Sequence, residues 1–439
     1  MRAVNTVYRE DFDCFASSGL ARKLIEAGHL IPHREVEDDP LMESDGVYKV
    51  LLPERVPFIS YPYEWCFGQL KDAALLTLRI QRMALDHGMS LKDASAHNIQ
   101  FVKGKPLLID SLSLERVPEG RPWIAYRQFC RHFLGPLALM AARDPRLVRL
   151  LQAFPDGLPL DLVSNLLPAR SRLNLGLGLH IHAHARLDRR YRSREPGRPI
   201  MNRPMPLKNL RALVDHLEGT IRRLRGAEPK TRWSDYDAGQ SYAPEALARK
   251  TSWVRTQLSS LQPGLLWDLG ANTGAFGRIG AELGFAAIAF DEDPIAVEQS
   301  YREVKARADE RLLPLILDLM SPSPGTGWAN AERSTFQARG PARVVLALAL
   351  VHHLAIGENV PLGKIADFLG GCGRHLLVEF VPKEDPQVAG MLALRRDIFP
   401  DYCRDGFERA FGRHFRILER EELRASGRIL YAMEARARQ

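Results

Sequence analysis

Cysteine is scarce in this sequence. The five residues Cys14, Cys66, Cys130, Cys372 and Cys403 are scattered through 439 positions, and none form a Cys-x-x-Cys pair. That pattern argues against a disulfide framework and against a cysteine zinc site, and fits a reducing cytoplasm. Long apolar runs are also missing. No stretch of about 18 uncharged apolar residues exists, so no membrane span is expected. The longest candidate, Phe133 to Phe154, is broken by Arg143, Asp144, Arg146 and Arg149. The first residues, MRAVNTVYREDFDCF, have no apolar segment of the kind a secretory leader needs, and the expected location is cytoplasmic. A strong charge of one sign is lacking too, the net value being +8. Much of the basic excess falls between Arg186 and Arg225, where aromatic residues hardly interleave. A solvated face or linker therefore explains it better than nucleic-acid binding.

The chain is too long for one ordinary core, and two domains of about 200 residues are the natural expectation. The pattern shifts near Gly226 to Lys230, giving a mainly helical α+β domain over 1–225 and an α/β domain over 226–439. In the first, LARKLIEAG reads as a helix stopped by Gly28, and Trp65 to His87 carries apolar residues at helical spacing. Val47 to Leu52 and Val56 to Ser60 read as strands. His180, His182 and His184 stand two apart and would share one face of a strand, where they could hold a metal. No carboxylate or cysteine stands beside them, so an exposed polar face is preferred and no metal site is assigned.

Within HGMSLKDASAHNIQFVKGKPLLIDSLSLE, Asp93 and Asn98 lie in a loop. IQFV and PLLID form a hairpin turned at Lys103-Gly104-Lys105, and Asp110 ends its second strand. Acids in such places also serve simply as turn residues. The spacing resembles the catalytic core of the protein-kinase-like fold, in which an Asp-x-x-x-x-Asn loop supplies base and metal ligand and an Asp on the next hairpin holds magnesium. The resemblance implies Asp93 as base, with Asn98 and Asp110 as metal ligands. The sequence departs from it at Leu91, where the family has His, and at Ser111-Leu112, where it has Phe-Gly. No GxGxxG loop appears upstream. These departures favour an inactive relic over an active phosphotransferase.

The most informative stretch is Leu265 to Gly277, LLWDLGANTGAFG. It reads as a buried strand closed by Asp268, a turn containing Gly270, Asn272 and Gly274, and a helix packing back. Glycines there let the backbone approach a ligand, and the helix start offers unpaired N–H groups. A second strand ends at Asp291, suited to the two hydroxyls of a ribose. A third ends at Asp318, a fourth near His352-His353, and a fifth at Glu379. This alternation predicts a doubly wound, mostly parallel, Rossmann-like sheet. Pro244 opens a helix before the first strand, which could fold over a ligand with Tyr236, Tyr242 or Lys250.

A dinucleotide fingerprint would read GxGxxG; here an acid stands directly before the turn. Asp268-Leu-Gly-x-Asn-x-Gly274, Asp291 and Asp318 together resemble the class I S-adenosylmethionine-dependent methyltransferases, over about 200 residues. The segments LDLMSPSPGTGWANAERSTF, LALALVHHLAIGENVPL and VEFVPKEDPQV are further similar to a bacterial group related to nodulation-type methyltransferases. ISYPYEWCFGQLKDAALLTL and SLKDASAHNIQF in the first half share that likeness. The resemblance implies S-adenosyl-L-methionine as cofactor. Gly270, Asn272 and Gly274 would flank its methionine part, Asp268 would lie near its amino group, and Asp291 would hold the ribose. Asp318 and Leu319 would lie beside the adenine, although Asp318 also suits a turn acid. No Asn/Asp-Pro-Pro-aromatic motif follows the fourth strand, so base-nitrogen methylation loses support. His353 or His352 is the candidate proton acceptor and Glu379 a second; methyl transfer can also proceed without a dedicated base. The implied activity moves a methyl group to an oxygen or nitrogen of a small molecule, saccharide or protein. The rival readings are a non-catalytic sensor or scaffold and a bifunctional kinase-like methyltransferase.

Overall fold

From Leu265 onward, short apolar runs alternate with helices, and in the computed structural model the runs assemble into one seven-stranded sheet. Numbered within this part of the chain, the strands are β1 (Leu265–Leu269), β2 (Ala286–Asp291), β3 (Leu312–Ile316), β4 (Ala342–Ala347), β5 (Gly373–Phe380), β6 (Phe415–Leu423) and β7 (Arg428–Ala435). Their order is β3-β2-β1-β4-β5-β7-β6. The first five run parallel, while β7 is antiparallel to both β5 and β6. The strand order reverses between β1 and β4, and the crevice beyond their carboxyl ends is where an open α/β sheet receives ligands.

Helices α1 (Pro244–Ser259), α2 (Ala275–Glu282), α3 (Pro294–Arg307) and α4 (Leu362–Cys372) belong to the same unit. Proline occupies the first turn of α1 and of α3, where its missing N–H is no loss. The Asp293 carboxylate caps α3 by accepting the Ile295 N–H at 2.8 Å. One core joins Trp253, Val254 and Leu258 of α1 to Ile279 of α2 and to Leu266, Leu346, Leu377 and Leu430 of the sheet.

The structure describes residues 1–37, 39–117, 120–187, 205–226, 243–393, 395–423 and 426–436. The chain forms two units, Met1–Ala227 and Glu228–Gln439. In the first, Val47–Pro53 is the central strand of an antiparallel sheet with Arg2–Asn5 and His33–Val36. Helix Phe67–Asp86 buries Leu70, Ala74, Leu78 and Leu85 and packs against helix Leu207–Arg223. The hairpin Ile99–Val102/Lys105–Leu108 turns through Lys103 (φ 51°) and Gly104 (φ 70°), the left-handed pair that a two-residue hairpin loop requires. Among the described residues, no helix is long and apolar enough to cross a membrane.

Three expectations need correcting. Val56 to Ser60 is not a strand. Pro57 cannot donate to a ladder, and the Ser60 backbone is satisfied instead by the Gln100 side-chain amide, at 2.8 and 2.9 Å. The fourth strand stops at Ala347 rather than near His352-His353. Ala349 takes a left-handed backbone (φ 52°), which turns the chain out of the sheet, and His353–Gly357 is a π-helical turn. His180 and His182 do not sit on a strand or on an exposed face either, but are buried in the π-helical turn Gly178–Ala183.

Candidate functional site

The site is built around the turn that follows β1. Gly270 (φ 70°), Asn272 (φ 50°) and Gly274 (φ 79°) all adopt left-handed conformations. A Cβ on Gly274 would meet Ser300 Oγ at 2.8 Å, and one on Gly270 would meet Leu350 Cδ1 at 3.1 Å. The turn is therefore tied to glycine both by backbone angle and by space. The Ala271 N–H donates to the Phe290 carbonyl at 2.9 Å, fixing the turn against β2.

Two carboxylates flank this turn. Asp268, on β1, is buried and accepts the Gly277 N–H at 2.7 Å. Burial pushes its pKa up to about 7, opposed by that N–H and by the charge of Lys250. Asp291, at the end of β2, keeps part of its surface open but is densely surrounded. It accepts the Asn272 N–H at 2.7 Å and the Asp293 N–H at 2.9 Å. Its pKa is pushed up to about 6, again chiefly by burial and against those two N–H groups. Each Asp291 oxygen keeps a lone pair for a further donor, so the carboxylate can receive two adjacent hydroxyls. Asp318 follows β3, is half-buried, and accepts the Met320 N–H at 2.8 Å. That closes a local turn of the kind its alternative reading supposes. Leu319 lies half-buried beside it.

Beyond β4, the strained Ala349 turn presents two histidines. Their ring centroids are 4.1 Å apart. His353 is half-buried and His352 fully buried. Among the described residues, neither ring nitrogen of His352 makes a hydrogen bond of ordinary geometry. Its pKa lies well below the usual histidine value, first through burial and then through the charges of His353, Arg428 and Lys250; the nearby Gln387 side chain opposes the fall. Glu379, on β5, is committed to two cations, Lys250 Nζ at 2.6 Å and Arg428 Nη1 at 3.6 Å. Arg428 Nε also meets Asp385 at 2.7 Å. All four side chains are buried. Arg428 and Asp385 escaped the sequence reading. Their signal is slight, being an arginine that opens the apolar run RILYAM and an acid in a loop.

The sequence matches no family model. It is 34% identical over 426 residues to the nodulation protein NoeA of Rhizobium meliloti (strain 1021), which covers 96% of this chain and 89% of that protein. The chain belongs to the NoeA family. Solved structures similar to parts of this NoeA-family chain include the PH0226 protein of Pyrococcus horikoshii OT3, at 12% identity, with 45% of this chain and 94% of that one covered and a TM-score of 0.33. Another is magnesium protoporphyrin IX methyltransferase (ChlM) of Synechocystis PCC 6803 with bound SAH, at 16% identity, with 44% and 84% covered and a TM-score of 0.33. The bifunctional kinase-methyltransferase WbdD matches at 14% identity, with 46% and 41% covered and a TM-score of 0.30. Each of these overlaps covers less than half of this chain.

The other candidates in the NoeA-family chain are distributed as follows. Asn98 Nδ2 donates to Ser113 Oγ at 3.2 Å, and Ser113 Oγ donates to the Asp110 carboxylate at 2.7 Å, so one hydrogen-bonded chain joins Asn98 to Asp110. Asp110 is also ion-paired with Arg2. Oδ1 of Asp93 accepts the Ser95 N–H at 2.9 Å and Gln128 Nε2 at 2.8 Å. His180 bridges Tyr126 Oη and His216 Nδ1 at 2.8 and 2.7 Å, whereas His182 lies between Ser164 and Ser171. The histidines thus serve separate contacts, and among the described residues no group of three or more His, Cys, Asp or Glu could hold a metal ion. Lys250 is placed in the buried pair described above; Tyr236 and Tyr242 lie outside the described residues.

Proposed function

We propose that the unit containing the seven-stranded sheet binds S-adenosyl-L-methionine and catalyses transfer of its methyl group to an oxygen or nitrogen of a small-molecule, saccharide or protein acceptor. The observation that carries this reading is the pair of carboxylates, Asp268 buried and Asp291 partly open, flanking a glycine turn at the switch point of a doubly wound sheet. Asp268 would face the ammonium of the methionine end, and Gly270, Asn272 and Gly274 would line it. Asp291 would take the ribose hydroxyls, and Asp318 and Leu319 would lie beside the adenine. When bound, the cofactor supplies an electrophilic methyl group on a sulfonium. Kinship with a nodulation protein adds nodulation as the process in which the transfer would act.

Of the three candidate bases, His353 is the one that suits proton acceptance from an attacking hydroxyl or amine, because it alone is neither fully buried nor held by two cations. His352 is closed off and neutral, and would pack beneath it. Glu379 is held between two cations and would position neighbours rather than take a proton. Titration calorimetry with S-adenosylhomocysteine tests the cofactor assignment. Wild type should bind, and Asp291→Ala should bind at least about tenfold more weakly through the loss of charge-assisted hydrogen bonds. Equal binding by the two proteins would remove Asp291 from the site.

The commitment of Glu379 and the burial of His352 also suit a protein that binds the cofactor without turnover. Incubating a cell extract with methyl-labelled cofactor separates the two readings. Transfer of label that disappears with Asp268→Asn supports the enzyme, and binding without transfer supports the sensor.

A further inference from the structure

Residues 162–187 contain no Asp or Glu, yet they hold Arg170, Arg172 and Arg186. From Leu162 to Lys208 the sequence has ten Arg or Lys against two acids, a net +8 that equals the whole chain's. Within this stretch Leu175–Ala183, LGLGLHIHA, has no charged residue. At helical spacing Leu175 and Leu179 share one side, and Leu177 and Ile181 the opposite one. A helix apolar on two opposite sides is one that expects cover all round.

Only one side has it. Leu177 and Ile181 are buried. A Cβ on Gly176 would meet Thr220 Oγ1 at 2.3 Å, so the segment is pressed against helix Leu207–Arg223. Leu175 and Leu179 are 84% and 55% exposed, and Leu173, just before them, is 86% exposed. The segment is held in this attitude from within. Buried His182 links Ser164, on helix Leu160–Leu166, to Ser171, in the turn Ala169–Leu173, at 2.8 Å each. The Asn174 side chain accepts the Leu177 N–H at 3.1 Å. Burial lowers the pKa of His182, and the charges of Arg172 and Arg186 lower it further, so both guanidinium groups flank this clamp. Arg170, Arg172 and Arg186 are all exposed.

Three leucines on little more than one turn fall short of the roughly 800 Å² per partner that a stable protein interface buries. A second copy across a two-fold axis would also set these arginines against arginines. A lipid surface meets neither objection. Its anionic headgroups receive guanidinium groups at the depth where leucine side chains reach the acyl boundary.

We propose that residues 170–186 are a docking surface for an anionic lipid bilayer, with Leu173, Leu175 and Leu179 entering the interface and Arg170, Arg172 and Arg186 meeting lipid phosphates. The segment lies on the bilayer and does not cross it. This contact goes beyond the cofactor reading and does not depend on it.

Co-sedimentation of the intact chain with vesicles tests it, using pure phosphatidylcholine and an equal mixture of phosphatidylcholine and phosphatidylglycerol. Wild type should bind the mixed vesicles at least about tenfold more tightly than the neutral ones, and salt at about 0.5 M should release most of it. Leu175→Ser/Leu179→Ser should weaken binding to the mixed vesicles at least about tenfold, through lost apolar burial. Arg170→Gln/Arg172→Gln should weaken it by about as much, through lost attraction to the headgroups. Leu418→Ser, at an exposed leucine of β6, should bind as wild type does. All five are surface changes, and thermal melting checks that each variant is folded. Absence of binding to the mixed vesicles overturns the proposal, as does equal binding to both kinds. Binding that survives both double substitutions overturns it too, by placing the lipid contact elsewhere. A wild-type dimer in sedimentation velocity that Leu175→Ser/Leu179→Ser abolishes, without vesicle binding, would assign the leucines to a second copy instead.

Discussion

At Asp268 two requirements oppose each other. Burial favours the neutral acid, with its pKa raised to about 7, whereas pairing with a cationic ligand needs the anion. The folded value lies above that of an unfolded aspartate, about 3.9. Its contribution to stability is therefore full below the unfolded value and is lost as the pH rises through about 7. Asp268→Asn keeps the shape and an acceptor for the Gly277 N–H. The ligand-free variant should melt at least about 2 °C above wild type near pH 8, and the gap should close toward about pH 5. The same variant should lose at least about tenfold in affinity for S-adenosylhomocysteine. In wild type, protonation of Asp268, and of Asp291 with its value of about 6, should weaken binding as the pH falls from about 8 to about 5.5. A flat calorimetric profile over that range would detach both acids from the ligand. Gly274 supplies a sharper test of the turn, because its left-handed backbone and the 2.8 Å approach to Ser300 Oγ leave no place for a methyl group. Gly274→Ala should destabilise the protein by about 1–2 kcal/mol in chemical denaturation and weaken S-adenosylhomocysteine binding at the same time.

Among elements, the packing of helix Leu207–Arg223 on helix Phe67–Asp86 shows which contacts matter. Arg82 reaches Asp215 and Glu218, but Arg82 and Asp215 are largely exposed, so Arg82→Ala should lower stability by less than about 1 kcal/mol. Leu217 is fully buried, and Leu217→Ala should remove about 2–5 kcal/mol; denaturant midpoints for the two variants check the ranking. The same contrast explains what could be read from the sequence. Local signals hold: apolar runs ending in an acid mark β1 and β2, Pro244 and Pro294 open their helices, and Gly28 and Gly274 mark turns. Non-local ones fail. The Lys250–Glu379 pair joins residues 129 apart, and nothing in either segment names the other. Strands β6 and β7 went unseen because β6, FRILEREEL, is an edge strand rich in charge and resembles an exposed helix. The end of β4 was misplaced because ALALVHH continues the apolar run, and only the left-handed Ala349 turns it out of the sheet.

For the whole molecule, the question is whether each unit works on its own ligand. The sheet-bearing unit has a glycine turn with two oriented carboxylates. The N-terminal unit has Asn98 and Asp110 joined through Ser113, yet Asp110 is already paired with Arg2 and Asp93 with backbone and Gln128 donors. A guanidinium on Asp110 supplies the positive charge that a magnesium ion would otherwise bring, and the chain offers no glycine-rich loop upstream to hold phosphates. Two ligands should therefore act differently on the intact protein. S-adenosylhomocysteine at about 100 times its Kd should stabilise the unit that binds it by about 2.7 kcal/mol, visible as a higher melting temperature. Magnesium-ATP at about the same multiple of an ordinary kinase-site Kd should leave melting unchanged. Arg2→Gln distinguishes a masked site from a missing one. If removing the guanidinium lets magnesium-ATP raise the melting temperature, Arg2 was covering a competent site. If it does not, phosphate recognition is absent altogether. A magnesium-ATP shift in wild type would instead show that Arg2 yields to the metal, and would bring phosphotransfer back into consideration beside methyl transfer.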